Sequence, residues 1–69
     1  MTTDINNTAV VPYLIAEKVT DNREEQDLLV SRAERHYKDN ETWRKQFNKS
    51  KDCRVFLETF MNHWLQSLK

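Results

Sequence analysis

The sequence predicts an all-α protein, and three observations support this fold class. Glycine is absent from the 69 residues, and two-residue hairpins favour glycine, so a β-sheet built from hairpins is improbable. Apolar residues recur at three- and four-residue spacing through 20–38 and 52–68, as in helices that bury one face. Capping residues precede each such segment. We therefore expect a small three-helix domain, with two long helices at about 21–38 and 52–68, packed antiparallel, and a short helix at about 40–48.

The segment 52–68 is the strongest predicted helix, because eight apolar residues fall on one of its faces. These are Cys53, Phe56, Leu57, Phe60, Met61, Trp64, Leu65 and Leu68. Polar residues, among them Arg54, Glu58 and Asn62, occupy the opposite face. A face this wide and this rich in aromatic residues must be buried against other elements.

The segment 21–38 carries the signals of both helix ends. Asp21 lies three residues before Glu24, as in a capping box, and acidic residues fill the first turns. Arg32, Arg35 and Lys38 lie toward the other end, where the helix dipole favours positive charge. The apolar stripe is formed by Leu29, Val30, Ala33 and Tyr37, with Leu28 at its edge.

A short helix at 40–48 follows a polar break, and either Asp39 or Asn40 can cap it. Trp43 and Phe47 are four residues apart and share a face of this helix. A second polar break follows, in which Ser50 or Asp52 provides the cap of the last helix.

The first 19 residues are less clearly patterned. Residues 1–8 are polar, and we interpret them as a flexible tail before a single helical domain at 9–69. In 9–19 the β-branched and aromatic residues favour a strand, whereas Pro12 suits the first turn of a helix. We expect a short helix at about 13–19, which packs across the others or serves as an arm.

Composition excludes several classes of protein. Without glycine, the Walker and Rossmann phosphate-binding loops cannot form. The 11 basic and 11 acidic residues balance, so net charge alone cannot hold nucleic acid. Cys53 is the only cysteine, which suits a reducing compartment. The polar start does not resemble a secretory signal, and no apolar run is long enough to span a membrane. We therefore expect a cytoplasmic protein.

Residues of catalytic type are present but have no recognisable arrangement. Cys53 and His63 are ten residues apart on one predicted helix, about 15 Å along its axis, so they cannot meet within one chain. No ligand spacing such as CxxC or HxxxH occurs. We predict a protein that is not an enzyme and that binds no cofactor or metal, with Cys53 as a small hydrophobic residue of the core.

Charge is unevenly distributed along the chain. Residues 1–30 contain six acidic and two basic residues, and residues 42–54 contain one acidic and five basic residues. The basic residues can pair with the acidic half, bind a partner, or simply be solvated. We predict a partner-binding surface formed by Trp43, Arg44, Lys45, Lys49, Lys51 and Arg54.

We expect this surface to serve a small regulator, inhibitor or adaptor that binds a protein partner with an acidic surface. Trp43 is the expected aromatic anchor, since tryptophan is enriched at binding hot spots. A homodimer that uses part of the last helix is also expected, because so short a chain has little core of its own. The alternative is a nucleic-acid-binding regulator that uses the same basic residues.

Overall fold

A computed structural model describes residues 10–68 of the chain and shows four helices. They are α1 (Pro12–Val19), α2 (Arg23–Asp39), α3 (Glu41–Lys49) and α4 (Cys53–Leu68), and no strand occurs between residues 10 and 68. The predicted all-α class is confirmed, with bounds within two residues for the three predicted main helices. The predicted flexible tail at 1–8 lies outside the described residues.

Helix α1 resolves the ambiguity of the segment 9–19. Pro12 occupies the first turn, where its missing N–H would have no helical partner in any case. Pro12, Ile15 and Ala16 are buried, and α1 packs against both α2 and α4. Residues 12–19 therefore form a helix that completes the core, and they are not an arm.

Polar contacts tie α1 to the acidic start of α2. The Tyr13 hydroxyl donates a hydrogen bond to Asp27 Oδ1 at 2.7 Å, and the Thr20 hydroxyl donates to Glu25 Oε1 at 2.8 Å. Gln26 Nε2 donates to the Thr20 carbonyl at 2.9 Å. Two acidic residues of the segment 21–27, Glu25 and Asp27, therefore hold α1 against α2.

The contact between Tyr13 and Asp27 predicts a pH dependence at high pH. The hydrogen bond to Asp27 raises the pKa of Tyr13 above its ordinary value, with smaller contributions from desolvation and from the Asp27 charge. The pKa of Tyr13 is then higher in the folded chain than in the unfolded chain. The contact therefore stabilises the fold below the ordinary tyrosine pKa, and this contribution is lost as pH rises through the raised pKa.

We expect an NMR titration of the Tyr13 ring to give a pKa above that of an unfolded tyrosine. Asp27→Asn removes the charge that opposes ionisation and should lower the pKa of Tyr13. An unchanged pKa of Tyr13 in the Asp27→Asn chain would show that this contact is absent in solution.

Short polar side chains cap the starts of α2, α3 and α4, as predicted, with one correction, whereas α1 begins after Val11 without a side-chain cap. Asn22 caps α2, with its side chain accepting from Glu25 N, so the prediction of Asp21 is wrong. The reason lies in the preceding turn, where Asn22 N donates to Thr20 Oγ1 and Asn22 becomes the residue directly before the helix. Asn40 caps α3, and Asp52 Oδ1 accepts from the backbone N–H groups of Arg54 and Val55 at the start of α4.

Asn40 joins two helices, because its side chain caps α3 while its backbone N–H donates to the His36 carbonyl at the end of α2. Replacing Asn40 by alanine should lower the free energy of unfolding by about 1 kcal/mol, the usual effect of losing an N-cap. Urea denaturation measures this loss. Asn62→Ala is the matched control, since Asn62 is exposed in the middle of α4 and caps no helix start. An equal loss of unfolding free energy in the Asn62→Ala chain would contradict the role of Asn40 as the cap of α3.

All four helices contribute to one core. Its most deeply buried large side chains are Phe47, Leu29, Leu57 and Met61. An aromatic cluster lies where α2, α3 and α4 meet, with Trp43 at its centre. The Trp43 ring centroid lies within 6.2 Å of the ring centroids of His36, Phe47, Phe56, Phe60 and Trp64. The aromatic residues of this cluster therefore cover one another, so that Trp43, Phe47 and Trp64 are buried while Phe56 and Phe60 stay partly exposed.

Candidate partner-binding groove

The residues of the predicted basic surface differ in how exposed they are, and Arg44 is one that contributes to the fold. Arg44 is half-buried, and its Nη1 donates to the carbonyl oxygens of Tyr37 at 3.2 Å and Lys38 at 3.4 Å. These carbonyls belong to the last turn of α2, where helical partners are lacking. Arg44 thus stabilises the junction of α2 and α3 and is only partly available to a partner.

The other basic residues of the predicted surface lie in different places. Lys45 and Lys49 are exposed one turn apart on α3, and Lys45 pairs with Glu41 at 3.3 Å. Lys51 is exposed in the link between α3 and α4. Arg54 lies beside α1, where it lines a shallow depression together with Leu14. A binding role for the exposed residues Lys45, Lys49, Lys51 and Arg54 stays a prediction.

Trp43 is not on the surface at all. Its side chain is 4% exposed, which contradicts the predicted exposed anchor. The physical reason is the cap at Asn40, which begins α3 at a position that turns Trp43 and Phe47 together toward α4. The buried Trp43 Nε1 has no hydrogen-bond partner among residues 10–68.

A candidate surface for binding lies between α2 and the end of α4. A groove of about 390 Å³ opens there, and we call it the α2–α4 groove. Its lining consists of Leu28, Leu29, Ser31, Arg32, Arg35, His36, Trp64 and Leu68.

The α2–α4 groove has an apolar base and apolar edges. Leu29 and Trp64 are buried beneath it. Leu28 and Leu68 line the same groove but are 55% and 40% exposed. Exposed leucines that adjoin a concave apolar surface are typical of interaction sites, because covering them removes apolar area from water.

Two arginines and a histidine complete the lining of the groove. The Arg32 guanidinium carbon lies 5.9 Å from the Trp64 ring centroid, within the range of a cation–π contact. The His36 ring lies 5.0 Å from the Trp64 ring, and its Nδ1 donates to the Arg32 carbonyl at 3.0 Å. Because a carbonyl oxygen only accepts, this bond places a proton on Nδ1 and leaves Nε2 as the second polar atom of the ring.

No carboxylate from residues 10–68 lines the α2–α4 groove. Within that part of the chain, Arg32 and Arg35 have no carboxylate oxygen within 4.0 Å, whereas Arg23, Lys45 and Arg54 each do. The groove therefore combines an apolar base with two guanidinium groups that have no carboxylate partner among residues 10–68. Chemically, it suits a ligand that has both an apolar side chain and a carboxylate.

Sequence reasoning missed this site because each of its residues had a simpler explanation. Leu28 lay at the edge of an apolar stripe, and the basic end of α2 was explained by the helix dipole. The available signal was the spacing of Leu28, Arg32 and Arg35, which places all three on one side of a helix.

Cys53 and His63 lie ten residues apart on α4, about 15 Å along its axis. Cys53 is half-buried, and its thiol donates to the Phe47 carbonyl at 3.3 Å, whereas His63 is exposed on α4. Between residues 10 and 68, no three His, Cys, Asp or Glu side chains are grouped so that they could hold a metal ion. The same residues include no helix with the length and hydropathy of a membrane span.

Comparison of the chain with protein-family models, with curated protein sequences and with solved structures gives no match.

Proposed function

We propose that this protein is a non-catalytic interaction module, a small regulator, inhibitor or adaptor, that binds an acidic segment of a protein partner in the α2–α4 groove. The observation that supports this proposal is the pairing of exposed leucines with Arg32 and Arg35 in a groove that no described carboxylate lines. The proposal keeps the acidic partner that the sequence predicts and moves its binding site from the α3 region to α2 and α4.

The groove can bind both the apolar face and the acidic face of an amphipathic helix. An apolar side chain of the partner would cover Leu28 and Leu68, and a carboxylate one turn away would pair with Arg35 or Arg32. Arginine binds a carboxylate through two parallel N–H groups, which fixes orientation as well as charge. This combination is the helix-in-groove mode of recognition.

Calorimetric titration with a helical peptide of glutamate and leucine tests the proposal. We expect Arg35→Glu to weaken binding about tenfold or more, equivalent to about 1.4 kcal/mol, because it reverses a charge on the groove. Arg35 is exposed, so the fold should tolerate the change. Lys45→Glu is the matched control, with the same charge change on α3. An equal loss in the control, or no binding by the wild-type chain at a concentration where it is monomeric, would contradict the proposal.

Nucleic-acid binding remains the second candidate function. It is favoured by the exposure of Lys49 and Lys51, neither of which has a carboxylate oxygen within 4.0 Å among residues 10–68. Phosphate contacts would make the logarithm of the binding constant fall with the logarithm of salt concentration by about 0.9 per phosphate. Lys49→Glu combined with Lys51→Glu should then abolish binding, and binding that survives both changes would count against this candidate.

The setting that we propose is the cytoplasm. The single thiol of the chain donates to a backbone carbonyl and packs against the core, as suits a compartment in which cysteines stay reduced.

A further inference from the structure

Helix α2 carries a stripe of residues that is complementary to itself. Glu24, Leu28, Ser31 and Arg35 follow one another at intervals of four, three and four residues, so they lie along one side of the helix. All four are exposed. The stripe begins with an acid, has an apolar residue and a small polar residue in its middle, and ends with a base.

Two such stripes match when they meet in opposite directions. The interval from Glu24 to Leu28 equals the interval from Ser31 to Arg35, about 6 Å along the axis. An antiparallel crossing that sets Leu28 against Ser31 of the partner subunit therefore also sets Glu24 against Arg35 of the partner subunit. Two-fold symmetry repeats both contacts, as in an isologous dimer.

Glu24 lies in the first turn of α2 and, unlike Glu25 and Asp27, makes no side-chain hydrogen bond or ion pair among residues 10–68. Glu25 accepts from Thr20, and Asp27 accepts from Tyr13 and pairs with Arg23. Glu24 is exposed and has no ion-pair partner within 4.0 Å in residues 10–68. Glu24 does not line the groove of its own chain, so its carboxylate can contact the groove of a second copy of the chain.

We propose that a second copy of this chain occupies the α2–α4 groove, in a two-fold dimer to which each copy contributes its Glu24 opposite Arg35 of the partner subunit. Charge complementarity selects this occupant, and the exposed Leu28 of each copy is covered in the same contact. The inference extends the proposed function, because the dimer and an acidic partner then use one surface and exclude each other. Dissociation of the dimer would make the groove available.

Sedimentation of the full chain over a range of concentrations tests the dimer. The wild-type chain should associate, and Glu24→Arg or Arg35→Glu alone should each weaken association at least tenfold, because each sets like charges opposite one another. An equimolar mixture of the two variants should associate again, since one copy then presents two cations where the other presents two carboxylates. Glu17→Arg is the matched control, an exposed acid on α1 whose reversal should leave association unchanged.

Two results would overturn the dimer: a wild-type chain that stays monomeric at every concentration, or a mixture that fails to associate. The glutamate–leucine peptide separates this inference from the proposed function. Glu24→Arg leaves every groove residue in place, so this variant should bind the peptide at least as tightly as the wild-type chain does. Peptide binding by a wild-type chain that is always monomeric would overturn the dimer alone. Failure of the Glu24→Arg chain to bind the peptide, with the charge-swap pattern intact, would overturn the proposed function alone.

Discussion

Replacing Trp43 by alanine is expected to unfold the protein. Trp43 is the residue on which the aromatic cluster converges, and its ring stacks on Phe47 at 5.4 Å while also meeting α2 and α4. Truncating a buried tryptophan to alanine costs about 3–5 kcal/mol. A core of this size supplies net stability of about 3–5 kcal/mol, so the loss equals most or all of it. Removing the unpartnered Nε1 offsets only a part of this cost.

Circular dichroism during heating measures the result. The Trp43→Ala chain should lack a cooperative transition, whereas Val55→Ala should keep one close to that of the wild-type chain. Val55 is the matched control, because it is an apolar residue of α4 that is 56% exposed. A Trp43→Ala chain that melts cooperatively near the wild-type temperature would show that the aromatic cluster is not the centre of the fold.

Ile15→Ala is expected to release α1 and to cost about 2–5 kcal/mol. Ile15 is 3% exposed and is the largest of the buried side chains of α1, between α2 and α4. An isolated helix of eight residues is marginal in water, so α1 persists only through such packing. Losing it would also expose the apolar surfaces of α2 and α4 that α1 covers.

Urea denaturation and amide hydrogen exchange together check this prediction. The Ile15→Ala chain should show a lower free energy of unfolding, and its α1 amides should exchange first. Leu14→Ala is the control on the same helix, since Leu14 is 57% exposed and should tolerate truncation. An equal loss of unfolding free energy in the Ile15→Ala and Leu14→Ala chains would mean that α1 does not pack with Ile15 toward the core and Leu14 toward solvent.

Most of the fold could be predicted from the sequence, because it depends on local signals. The apolar spacing in 52–68 and the polar residues before α2, α3 and α4 indicate where these helices begin and which faces they bury. The Asp21 cap was wrong because Asp21 and Asn22 are both good caps, and the choice between them depends on a turn closed by Thr20. The sequence around Pro12 is compatible with both a strand and a helix. The helix is favoured by its packing against α2 and α4, which local sequence signals do not reveal.

The candidate site was less predictable, because a surface is formed by elements that are distant in sequence. Arg44 and Arg54 belong to one basic segment, yet one contacts the end of α2 and the other lies beside α1. Trp43 was predicted as an anchor from its neighbours along the chain, whereas its burial depends on α4. Conversely, Arg32 and Leu68 are 36 positions apart in sequence and meet in one groove only because α2 packs on α4.

The most direct test of the α2–α4 groove is to map, by NMR, which backbone amides shift when the glutamate–leucine peptide is added to the full chain. We predict the largest shifts at Leu28, Arg32, Arg35 and Leu68, together with the Trp64 indole. Small shifts there, with the largest changes at Lys45, Lys49 and Lys51, would contradict the central claim and return the binding site to the basic segment of α3.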